Sequence, residues 1–138
     1  MSDATRPVIG VLTVSDRASQ GVYEDRSGPA IEAALRDYLA TECDFDKRVI
    51  ADERELIGAT IRELAERGCC LICTTGGTGP SPRDVTPEAT SALLDRPAPG
   101  LVEMLLRAAL QHEHHRRRRS HRRRSTACSR AATITWSS

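Results

Sequence analysis

At 138 residues the chain has the length of one domain, with room for a hydrophobic core. Only 39% of it is apolar, no apolar run approaches the ~18 residues of a membrane-spanning helix, and MSDATRPVIGV lacks the pattern of a secretory signal, so a cytoplasmic location is expected. The net charge of +1 hides a division: residues 1–110 carry 12 Arg/Lys against 18 Asp/Glu, a balance of −6, while 111–138 carry eight Arg against one Glu, a balance of +7, and all four histidines.

Residues 7–15, PVIGVLTVS, form a β-branched run that predicts a strand buried on both faces. The loop DRASQGVYEDRSG follows, with Ser27 expected as the N-cap of a helix and Pro29 in its first turn. Ile31, Ala34, Leu35, Tyr38 and Leu39 recur at helical spacing to about Ala40. KRVIA predicts a short second strand ending at Asp52. Ile57, Ile61, Leu64 and Ala65 then line a second helix that Gly68 closes. CCLICT reads as a third strand. Thr86 is expected to cap a helix with Pro87 at its first position and Glu88 in its first turn. A last helix begins near Gly100, with Leu101, Met104, Leu105 and Ala108 on one face. Such alternation of strand and helix predicts an α/β fold: a mostly parallel sheet with helices on both faces, in three layers.

The five cysteines are odd in number and poorly spaced for a disulfide framework. Cys70 and Cys73 form a C-x-x-C, but no second pair in the ordered part completes a zinc site. The thiols of CCLICTT are expected to pack as small apolar groups in the core.

Ligands of an open parallel sheet bind beyond the carboxyl ends of its strands. Ser15, Asp16 and Arg17 follow the first strand, Asp52 and Glu53 the second, and TTGGTGPSPRDVTPEAT, Thr74 to Thr90, the third. Gly76, Gly77 and Gly79 allow sharp turns and bring backbone N–H groups close to an anion, with Thr75 and Thr78 as added hydroxyl donors. The loop is a candidate phosphate cradle, although no Gly-Lys-Ser/Thr follows to make it a Walker motif. Asp52 and Asp84 on the same edge are candidates to hold magnesium between carboxylates and phosphates. Simpler roles stand beside these: Asp52 as the N-cap of the second helix, and Asp84 as a salt-bridge partner of Arg83 or a cap of the following helix.

VLTVSDRASQGVYEDRSGPAIEAAL and TTGGTGPSPRDVTPEAT together resemble the molybdopterin adenylyltransferase family, including the related domains of gephyrin-type proteins. The resemblance runs from about Val8 to Leu106. Molybdenum-insertion enzymes and the competence-damage family share the Gly-Gly pair, but not G-T-G-x-x-x-R-D-V-T-P-E-A-T as it stands here. The resemblance implies a three-layer α/β fold, commonly trimeric, that binds molybdopterin and transfers AMP to it from Mg-ATP. A molybdenum-insertion enzyme is then a possible partner, and no membrane is involved. Asp52 and Asp84 match the family's functional aspartates. Gly76, Gly77, Thr78 and Gly79 match its ligand loop, and Thr13, Ser15 and Asp16 its first signature.

After Gln111 the resemblance stops. The family continues with a serine-arginine segment, further strands and an asparagine-leucine-proline-glycine turn, whereas this chain reads HEHHRRRRSHRRRSTACSRAATITWSS. The expectation is a partial domain over 1–110, inactive in AMP transfer in this truncated form, and a disordered or frameshifted tail over 111–138, leaving one sheet edge unpaired. A non-catalytic molybdopterin-binding protein is an alternative. A second is a basic arm on nucleic acid, since seven arginines lie within residues 116–124. No aromatic residue interleaves those arginines to stack on bases, so selectivity for single strands is not expected. Metal binding by His112, His114, His115 and His121 has little support, because such tracts chelate without a built site.

Overall fold

The computed structural model describes residues 6–119 and 132–136. Its centre is β1, Val8–Val14, in which every residue after Val8 is buried. Side chains alternate across a strand, and here the two sets meet different helices. Leu12 and Val14 pack with Ile57, Ile61 and Leu64 of α3 (Arg54–Glu66) and with Ala89 of α4 (Thr86–Ser91). Ile9 and Val11 pack with Cys43, Phe45, and Ile31 and Leu35 of α2 (Ser27–Tyr38). Helices therefore cover both faces, giving the expected three layers.

β2 (Asp44–Ile50) and β3 (Cys69–Thr75) flank β1 in parallel, and β4 (Ala132–Trp136) adds to β3 in antiparallel register, so the sheet order is β2-β1-β3-β4. β3 thus has neighbours on both sides. α5, Pro99–Arg119, runs through the compositional break at Gln111. The reading of 111–138 as disordered or frameshifted otherwise falls largely outside the described residues. The chain divides into two compact units, Met1–Leu94 with Arg130–Ser138, and Asp95–Ser129. Everything in the site described below belongs to the first unit.

Two local features depart from expectation. A register shift between Val8 and Ile9 sets Val8 opposite Cys69 and Ile9 opposite Leu71. Cys70 is the extra residue of this bulge and is exposed rather than packed in the core with Cys69 and Cys73. The N-cap of α2 is Arg26, not Ser27. Asp25 takes over the capping chemistry, its Oδ1 accepting the N–H groups of Ser27 (3.0 Å) and Gly28 (3.2 Å). α3 ends as predicted, at a left-handed Gly68 with φ of +87°.

Candidate functional site

With β2 and β3 on opposite sides of β1, the chain reverses direction across the sheet at β1, the point at which open sheets of this kind take ligands in a crevice beyond the carboxyl ends of their strands. Three loops meet there. β1 leads into a four-residue helix, α1 (Asp16–Ser19), whose N-cap Ser15 accepts the Ala18 N–H on its hydroxyl at 3.3 Å and donates its own N–H to Ile50 O at 2.8 Å. Asp16 and Asp52 then bind each other reciprocally. The Asp16 N–H donates to Asp52 Oδ2 at 2.8 Å, and the Asp52 N–H donates to Asp16 Oδ1 at 3.0 Å. This exchange ties the end of β1 to the end of β2. It also corrects the reading of Asp52 as a helix cap: the N-cap of α3 is Glu53, which makes no side-chain cap bond.

The glycine loop closes the third side. Gly76 and Gly77 have φ of +88° and +60°, a region costly for residues with a Cβ. A Cβ on Gly76 would lie 2.0 Å from Val14 O. One on Gly77 would lie 2.3 Å from Thr86 Oγ1 and 2.8 Å from Asp52 Oδ1. The loop thus approaches β1 more closely than any side chain permits. Gly77 O accepts the Thr86 N–H at 3.1 Å, which ties the loop to the start of α4. Val85, not Thr86, is the N-cap of α4, and Pro87 falls at its second position. The Thr86 hydroxyl is left over: Thr86 Oγ1 and Asp52 Oδ1 are both buried without a hydrogen-bond partner, and both are packed closely against Gly77.

Arg83 bridges from the glycine loop to the end of β1. Its Nε donates to Asp16 Oδ2 at 3.1 Å, and its Nη2 donates to Oδ1 and Oδ2 at 2.8 and 2.7 Å. The suggested Arg83–Asp84 bridge is therefore replaced by Arg83–Asp16. Adjacent residues on a turn point apart, whereas Asp16 lies directly across the crevice. Asp84 instead folds back on its own loop, Oδ2 accepting the Ser81 N–H at 3.0 Å and lying against Gly79. The hydrogen bonds from Arg83, with that from the Asp52 N–H, hold the Asp16 carboxyl below the usual carboxylate range. Asp52 is pushed the other way. Burial raises its pKa, and the neighbouring Asp16 and Asp84 carboxylates add to the rise, against the opposing Asp16 N–H and Arg83.

Of the residues singled out from sequence, Asp16, Asp52, Gly76, Gly77, Gly79 and Asp84 come together in this crevice. Thr78 is half-buried within the same loop. Ser15 lies at its floor with its hydroxyl engaged in capping. Thr13 and Thr75 are partners in the β1–β3 register and are buried. The Thr13 hydroxyl donates to Asp25 Oδ2 at 2.9 Å, so it braces the loop before α2. Arg83, Thr86 and Asp25 were not assigned these contacts from sequence. The signal for Asp25 was present, as an acidic residue two positions before the helix start. Magnesium prefers carboxylate, phosphate and water oxygens. The unpartnered Asp52 Oδ1 is an oxygen of the kind such an ion takes, with Asp84 near enough to raise the Asp52 pKa. Among the described residues no three His, Cys, Asp or Glu side chains form a complete cage, so a cation here would need ligands beyond the protein.

A family model described as a probable molybdopterin binding domain matches residues 10–134. The chain belongs to this family. Among curated molybdopterin-binding-domain relatives, the molybdopterin adenylyltransferase of Helicobacter pylori is 47% identical over 105 residues, covering 75% of this chain and 60% of the relative. That of Escherichia coli is 48% identical over 103 residues, covering 74% and 53%. The chain therefore spans a little more than half the length of the curated relatives it matches. A solved structure of a molybdopterin biosynthesis protein from Mycobacterium abscessus superposes with a TM-score of 0.69 at 32% identity, covering 78% of this chain and 66% of that one. The α/β architecture is thus the family's own. Among the described residues no helix is long and apolar enough to cross a membrane.

Proposed function

We propose that the chain acts in molybdenum cofactor biosynthesis as a molybdopterin adenylyltransferase, moving AMP from ATP to the phosphate of molybdopterin with release of pyrophosphate. The observation that carries this reading is the cradle at Gly77, where the buried, unpartnered Asp52 Oδ1 faces a loop too tightly turned for side chains. A carboxylate in that position repels phosphates unless a cation lies between them. Magnesium bound to ATP supplies that charge neutralisation, with Asp52 and Asp84 as the residues to hold it. Asp16 fixes the Asp52 backbone through its own carboxylate, so Asp52 enters the site pre-oriented. Gly76, Gly77, Thr78 and Gly79 frame the phosphate path.

In this reading residues 1–110 hold all of the site groups, and the basic segment 111–138 adds none. The protein works in the cytoplasm; the resemblance implies a homotrimer in intact relatives, with a molybdenum-insertion enzyme as the candidate recipient of the product. Exposed Leu101, Met104 and Leu105 on one face of α5 support assembly, because apolar rows of that kind mark interfaces. The arginines proposed for nucleic-acid contact have side chains outside the described residues.

The deciding experiment is an AMP-transfer assay with ATP, magnesium and molybdopterin, comparing the parent chain with Asp84→Asn. Losing one charge at a phosphoryl centre should cut turnover by ~100-fold. Equal turnover in the two proteins would reject the assigned role. A parent chain that binds molybdopterin yet transfers no AMP would favour the binding-only reading.

A further inference from the structure

The contacts of Arg83 suggest a role beyond bracing the loop. Its guanidinium grips both oxygens of Asp16 through three hydrogen bonds, yet the side chain is 60% exposed. Water and salt screen an ion pair at that exposure, so it is readily exchanged. Asp16 does not depend on it. The carboxylate also accepts the Asp52 N–H, and the Asp16 backbone is held by Asp52 Oδ2, so both loops stay tied if Arg83 leaves. The guanidinium fork that fits a carboxylate fits a phosphate equally well. Around it lie Asp16, Asp52 and Glu53, a setting in which a free phosphate would otherwise be repelled.

We propose that Arg83 is the anion-receiving arm of the site: it releases Asp16 to take a phosphate oxyanion of the substrate, so that Asp16 competes with the ligand for it. The inference rests on the reading of this crevice as a phosphate site and deepens it by naming the residue that first meets the anion. The ligand phosphate has two possible sources, the nucleotide's phosphoanhydride end or a phosphate monoester such as the pterin's.

The test is calorimetric titration of the full chain with inorganic pyrophosphate and, separately, with inorganic phosphate. If Asp16 competes, Asp16→Asn, whose amide oxygen can still accept the Asp52 N–H, should bind at least about threefold tighter. Arg83→Ala should bind about tenfold weaker and Arg83→Lys should lie between. The anion that responds more strongly names the source. A bracing role alone predicts the opposite sign for Asp16, with Asp16→Asn and Arg83→Ala weakened together, and that result overturns the proposal. The Arg83 Nε–H resonance of the unmodified chain gives a check independent of the variants. It should move on adding pyrophosphate, and an unmoved signal at saturation also overturns the inference. Absence of anion binding overturns it too. Failure of AMP transfer with these titrations as expected would count against the adenylylation reading alone.

Discussion

Asp52, the carboxylate proposed to hold the cation, weakens the fold that holds it. Burial raises its pKa, so its charged form is less favourable in the folded chain than in the unfolded one. A raised folded-state pKa means that stability falls as pH rises through it and is regained on acidification toward the unfolded-state value. Asp52→Asn removes that charge and leaves an oxygen to accept the Asp16 N–H. The variant should therefore melt at least as high as the parent at neutral pH, with the difference closing as pH falls into the ordinary carboxylate range. Its AMP transfer should drop by ~100-fold. Thermal melts across pH beside the transfer assay check both halves, and a variant that melts well below the parent at neutral pH would contradict the first. Gly77 carries the opposite expectation. Its left-handed φ and the 2.3 Å approach to Thr86 Oγ1 leave no place for a methyl group, so Gly77→Ala should lose about 1–3 kcal/mol in urea denaturation. An unchanged midpoint would mean that the loop relaxes freely.

At the scale of elements, Asp25 is the joint between β1 and α2. It accepts the Thr13 hydroxyl on one oxygen and two helix N–H groups on the other. Asp25→Ala should cost about 0.5–2 kcal/mol, the range for loss of a capping residue, read from the same denaturation curves; a cost near zero would show that water replaces the carboxylate. Unbroken β-branched or apolar runs made the strands legible and the 3.6-residue period the helices, because burial of β1 on both faces and of one stripe of α3 leaves a direct imprint on residue order. Caps were misplaced by a residue or so at α2, α3 and α4. Ser27, Asp52 and Thr86 all suit an N-cap by composition, and only tertiary partners decide which side chain is free to serve. In the site, the carboxylates and glycines were legible from their position after strands. The pairing of Arg83 with Asp16 was not, since it joins residues far apart in the chain and Asp84 stood next door as the obvious partner. The bulge at Cys70 was equally hidden, because one extra residue leaves the apolar run unbroken.

For the whole molecule, assembly can be tested through α5. If its exposed leucines form the proposed trimer contact, Leu105→Glu should lower the mass measured by light scattering to that of a monomer; a parent chain already monomeric would reject the trimer. The sheet order has another consequence, for the chain as it is being made. β1 is synthesised first but lies between neighbours that begin at Asp44 and Cys69, so both of its ladders wait on later residues. Until β3 has left the ribosome, VIGVLTV is a β-branched segment with no lasting partner, of the kind that recruits other unfinished chains. Ribosome-bound chains halted with Gly68 just emerged should stay protease-sensitive, and those halted past Leu94 should resist. β1 thus emerges ahead of both of its neighbours, and that interval is where a chaperone or rapid translation would protect it.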